Sequence, residues 1–151
     1  MQKFIRMRFP LVLIFFTIFL LSCQSTAPAD SKKLDLLYDS VVAQHDEVMP
    51  KTAAIDKAVQ ELRVFYSAQK DSLMQKETLV LIQDLKMAHE AMFSWMDQFK
   101  NKHLEADFYQ NTAVDSLQLY LREEEKKIQK VAQLMNQSLQ AYSQFKSKHI
   151  Q

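Results

Sequence analysis

The sequence predicts an all-α fold: an antiparallel three-helix bundle of coiled-coil type, with its first helix kinked at Pro50. Three observations predict it. No glycine occurs in 151 residues, against an average usage of about 7%. Tight hairpin turns need positive φ, which glycine normally supplies, so long helices joined by simple turns are favoured. Strong helix formers such as Leu, Lys, Gln, Ala, Met and Glu are plentiful. Finally, three long segments carry apolar side chains at alternating steps of four and three.

The elements follow in chain order. Residues 1–22 read as a cleaved signal peptide of lipoprotein type. Lys3, Arg6 and Arg8 form a basic head, Leu11 to Leu21 an apolar core too short to span a bilayer, and Ser22 a small residue before Cys23. Cys23 is the only cysteine, so no intramolecular disulfide can form, and its sulfur reads as the lipid attachment point. Residues 23–30 are expected to be the acylated cysteine and tether, since Ser25 to Ser31, with Pro28, reads as a short tether. Several acyl chains hold firmly where one holds weakly, so the expected location is a membrane surface. Gln24, which is not acidic, resembles the sorting signal for an outer membrane, and the domain is expected to face the periplasm.

The bundle is expected over residues 31–151, with helices at about 31–69, 73–102 and 113–148. The first seam runs Leu34, Tyr38, Val41, His45, Val48, Thr52, Ile55, Val59, Leu62 and Tyr66. Asp30 or Ser31 is expected to cap it. Pro50 removes one backbone bond and crowds the carbonyl of Asp46. The seam keeps step through it, so one kinked helix is expected, with the proline on the outer face. The second seam is Met74, Thr78, Leu81, Leu85, Ala88, Met92, Trp95 and Phe99, with Ser72 and Gln75 as a capping box. The third is Val114, Leu117, Leu121, Glu124, Ile128, Val131, Met135, Ser138, Tyr142 and Phe145, with Asn111 or Thr112 as its cap. The connection near Lys70 is short, so the first two helices pack as neighbours. In the longer one, Leu104, Phe108 and Tyr109 are expected to fold back over the bundle end.

Charge and motif content exclude several function classes. Removing residues 1–22 takes away Lys3, Arg6 and Arg8 and no acidic residue, so 19 basic and 18 acidic side chains become 16 and 18. A near-neutral domain has no electrostatic claim on nucleic acid. Phosphate-cradling loops and glycine-flanked serine nucleophiles are absent, and no enzyme activity is expected.

Three sets of residues remain candidates. His45, Trp95 and Glu124 fall at similar levels of an up-down-up bundle and form a candidate buried polar layer. A register-fixing role takes precedence there over a ligand-binding one. His45, Met49, His89, Met92 and Met96 are a candidate metal or haem ligand set, since imidazole and thioether suit copper(I) or haem iron. Methionine is also an ordinary gap-filler of cores, and the paired Glu-x-x-His motifs of di-metal carboxylate bundles are missing. No cofactor is therefore assigned. Met87, Ala88, Ala91, Met92, Trp95, Met96 and Phe99 cover about half the middle helix, a share that packing on two partners accounts for. Phe93 falls outside that arc. With Met96 it is a candidate partner-contact strip.

The stretches His45-Asp46-Glu47-Val48-Met49-Pro50-Lys51 and Ala88-His89-Glu90-Ala91-Met92-Phe93-Ser94-Trp95-Met96 resemble a family of small helical lipoproteins from Bacteroidetes-type bacteria. Some members carry the label "viral A-type inclusion protein", which reflects coiled-coil likeness. The resemblance extends through Glu124 to Asn136. It implies the lipid-anchored address and the helical fold, and it implies no activity or site. The sequence-level expectation is an envelope module, structural or protein-binding, with self-association open to seams this regular. A small metal- or haem-binding bundle is the alternative.

Overall fold

The computed structural model describes residues 28–150, all helix and connecting turns. The expected signal peptide, Cys23 and residues 24–27 lie outside the described residues. Five helices follow in order: α1 Pro28–Val48, α2 Lys51–Ala68, α3 Ser72–Gln98, the short α4 Ala106–Asn111, and α5 Val114–His149.

α1 starts three residues earlier than its seam suggested. Proline suits the first turn of a helix, where its missing N–H costs nothing, and Asp30 sits in that turn beside the positive end of the helix dipole. The single rod expected over 31–69 is described as two helices joined at Met49 and Pro50. The joint stays close to helical geometry, with Pro50 at φ −60° and ψ −20°. The Met49 N–H still donates to the His45 carbonyl at 2.8 Å, and the Thr52 N–H donates to the Met49 carbonyl at 3.1 Å. Pro50 is exposed. Lacking an N–H, it interrupts the bond ladder for one turn.

Other boundaries also shift. Asp71, not Ser72, caps α3: its carboxylate accepts from the Leu73 and Met74 N–H groups at 2.8 and 3.3 Å. α3 ends at Gln98, and Phe99 closes it by donating its N–H to the Trp95 carbonyl. Neither Asn111 nor Thr112 caps α5. Those residues end α4, and Ala113 precedes α5 with no side-chain cap.

α1 packs along α5, α2 along α3 and α5, and α3 along α5. Ser40 donates to Glu125 and Lys51 to Asn136, a constant offset of 85 residues. α1, α2 and α5 therefore run parallel, with α3 running back between the first two turns. Lys146 on α5 meets Glu61 on α2 at 2.5 Å, and Tyr142 donates to the same carboxylate. These two donors hold the Glu61 carboxyl below its ordinary range.

The core follows the three seams. Val41, Ile55, Leu62, Leu85, Met92, Leu121, Ile128 and Met135 are fully enclosed. Thr78 and Ser138 are buried and return their hydroxyls to their own helices, to the carbonyls of Met74 and Met135. Each such pairing avoids the cost of an unmade bond in the core, about 1–3 kcal/mol. Met87 departs from the expected buried arc of the middle helix and is 62% exposed; it sits one turn from Ala91 on the outer edge of that arc, where no partner helix reaches.

Candidate functional site

Among the described residues, rings from α1, α3 and α5 meet along the second half of α1. His45 stacks on Trp95 with centroids 5.6 Å apart, and Trp95 stacks on Phe99 at 4.8 Å. Phe99 continues the stack to Tyr120 at 6.4 Å and leans on Tyr38 at 5.9 Å. Seam spacing explains this: Trp95 and Phe99 are one turn apart on the inward face of α3.

The connection after α3 closes the end. Its backbone leaves the helical ladder, so its polar groups need other partners. Two tyrosines from distant positions supply them. The Lys100 N–H donates to the Tyr120 hydroxyl oxygen, and the Tyr109 hydroxyl donates to the Lys100 carbonyl, both at 2.6 Å. Burial pushes the Tyr120 hydroxyl up to about 12, with the Glu124 and Glu105 charges adding to it. Burial drives Tyr109 higher still, and its neighbours Tyr120 and Tyr38 act in the same sense. Phe108 packs edge-on to Tyr120 at 5.3 Å, and Tyr109 edge-on to Tyr38 at 6.0 Å. Phe108 and Tyr109 thus fold back as expected. Leu104 does not: it is 86% exposed, in a turn where the Leu104 and Glu105 N–H groups donate to the Asn101 carbonyl at 3.1 and 2.8 Å and Lys102 pairs with Asp35 at 3.0 Å.

Glu124 is 2% exposed, and one carboxylate oxygen accepts from Lys127 at 2.7 Å. The His45 Nδ1 faces the exposed Asp46 carboxylate at 2.9 Å. His45 and Glu124 are thus each paired on their own helix, with Asp46 and Lys127. Among the described residues, three buried side-chain atoms are left without a protein partner: His45 Nε2, Trp95 Nε1 and Glu124 Oε2. They belong to the three residues of the predicted layer. An indole N–H only donates, an ionised carboxylate only accepts, and an imidazole nitrogen does either. His45 and Trp95, with Asp46, Met96, Phe99 and Leu104, line an open cleft of about 480 Å³, of which Glu124 is not a lining residue.

The candidate metal or haem ligands fall in separate places. His89 lies 3.5 Å from Asp56 and tilts against Phe93 at 4.7 Å, away from the His45–Trp95 stack. Met92 is enclosed in the core, Met49 packs on its edge, and Met96 is 39% exposed. Among the described residues, no group of three or more His, Cys, Asp or Glu side chains is placed to hold a metal ion. Phe93 is 44% exposed and Met96 shares its side of α3, so the two form a surface strip. Sequence reasoning missed the tyrosine clamp on Lys100. Tyr109 and Tyr120 were visible as aromatic residues flanking a long connection, but their hydrogen bonds span 9 and 20 residues and leave no local signature. No family model, curated protein or solved structure matches this chain.

Proposed function

We propose that this protein is a lipid-anchored, periplasm-facing module of the cell envelope, serving a structural or protein-binding role. The observation that carries the reading is the N-terminal run: a basic head at Lys3, Arg6 and Arg8, an apolar core to Leu21, then Ser22 and Cys23. In this reading α1 and α2 work as one rod bent at Pro50, and that rod, α3 and α5 form a three-helix bundle. The packing of α5 along α1, α2 and α3 supports the arrangement. The exposed pair Phe93 and Met96 supports a contact with another envelope protein, since aromatic side chains are enriched where proteins bind each other. Among the described residues, no helix is long and apolar enough to cross a membrane.

The test is direct. Mass spectrometry of the protein isolated from membranes should find an N-terminal peptide that begins at Cys23 and carries acyl chains. Cys23→Ser should move the protein out of the membrane fraction. A chain that keeps residues 1–22, or that stays on membranes without Cys23, overturns the reading.

A further inference from the structure

The cleft between α1, the end of α3 and the turn that follows carries one sign of charge. Asp46 on α1, Asp97 on α3 and Glu105 just before α4 line it, and no lysine or arginine does. Glu105 is neutralised by Lys100, which lies 3.0 Å away and outside the lining. Asp46 faces the His45 Nδ1 at 2.9 Å, an imidazole that is charged only when protonated. Asp97 is exposed and has no ion pair among the described residues. At least one negative charge of the lining therefore stays unbalanced, whether or not His45 is protonated.

The rest of the wall is apolar, with one unspent donor. Met96 and Leu104 line it and are 39% and 86% exposed. Trp95, also in the wall, is only 7% exposed, yet its indole N–H has no acceptor among the described residues. An indole nitrogen donates and never accepts. A ligand that answers all three features carries a positive charge, an apolar stem and a carbonyl oxygen. We infer that the cleft binds a lysine or arginine residue of another polypeptide. The cation sits on Asp46 and Asp97, the stem lies along Met96 and Leu104, and a peptide carbonyl accepts from Trp95. The volume, about 480 Å³, is that of a small-ligand site, so the occupant is a single residue and not a helix. The inference deepens the protein-binding reading given above and rests on it, but not on the lipid anchor.

The experiment uses the full chain, purified from cells in a nonionic detergent. Trp95 is the only tryptophan in the sequence, so its emission reports on this cleft alone. Three probes are titrated: N-acetyl-arginine methylamide, its neutral citrulline isostere, and agmatine, which keeps the cation and stem but has no carbonyl. The expected result is a saturable emission change with the arginine probe, weakened by salt as exposed charges are screened. The citrulline probe should bind about tenfold more weakly, and Asp97→Asn should cost the arginine probe about three- to fivefold, the scale of an exposed ion pair. Glu77→Gln, at the opposite end of α3, should change nothing, and far-ultraviolet dichroism should be the same in all variants. Four results overturn the inference: no response to the arginine probe, equal binding of the citrulline probe, agmatine binding as tightly as the arginine probe (the mark of a free-amine site), or equal losses in Asp97→Asn and Glu77→Gln. An envelope protein that crosslinks through Phe93 and Met96 while the arginine probe gives no response would keep the protein-binding reading and remove this inference alone. Loss of that crosslink while the arginine probe still binds would remove the strip and leave the cleft.

Discussion

The two halves of the molecule treat buried polar groups differently. Around Ile55, Leu62, Leu85, Ile128 and Met135 the core is aliphatic, and its only polar intruders, Thr78 and Ser138, are satisfied one turn back on their own helices. Around Trp95 the core is aromatic. There a connection needs side chains from 9 and 20 residues away to close its backbone, and three atoms of His45, Trp95 and Glu124 have no protein partner. The difference teaches that a continuous helix settles its own polar accounts locally, whereas a chain reversal depends on distant residues and leaves a remainder.

The contrast is sharpened first in the aliphatic half. Leu85→Ala should lower the unfolding free energy by about 2–5 kcal/mol in a urea melt, because a fully enclosed leucine leaves a cavity that rigid rods cannot collapse. A loss below that range would mean that this half is looser than its packing implies. In the aromatic half the opposite sign is expected. Glu124→Leu removes the unpartnered oxygen and should raise stability by about 1–3 kcal/mol in the same assay, as replacement of buried ionic groups by hydrophobes often does. Destabilisation instead would mean that the Glu124–Lys127 pair, at 2.7 Å, outweighs the cost of the unpartnered oxygen.

The smallest effect is a pH dependence confined to the aromatic end. Tyr109 and Tyr120 have folded values raised above 10, that of Tyr120 to about 12. The folded state therefore keeps its phenolic protons where the unfolded state loses them. The stability they contribute is complete below pH 10 and is lost as pH rises, for Tyr120 between 10 and about 12. Urea melts across this interval should show the decline, and Tyr109→Phe with Tyr120→Phe should flatten it. A decline of unchanged size in the double variant would place its origin elsewhere, Lys146 being another group whose value is raised, by its bonds to Glu61 and Tyr142.

Much of the all-helical core was legible in the sequence, because a heptad rhythm is a local signal that burial obeys. Val41, Ile55, Leu62, Leu85, Met92, Leu121, Ile128 and Met135 were read from spacing alone and are the residues that exclude water. Even the awkward seam residues His45, Trp95 and Glu124 were readable as polar intruders. What was not readable is what depends on competition between near-equal choices. Asp71 took the cap expected of Ser72 because its carboxylate reaches two N–H groups. His45 paired with Asp46 rather than Glu124 because a neighbour on the same helix is always present. The exposed Leu104 sits in the turn closed on the Asn101 carbonyl, next to the Lys102–Asp35 pair, contacts that no periodic pattern encodes.

The shared direction of α1, α2 and α5 has a mechanical consequence. Pro28 and Ile150 sit at opposite poles, about 55 Å apart by the length of α5. A pull applied between them would load α1 against α5 lengthwise, in shear, so that many side-chain contacts must yield at once instead of unzipping one by one. A tag or fused domain placed after Ile150 would project from the pole opposite Pro28, leaving the start of α1 unobstructed.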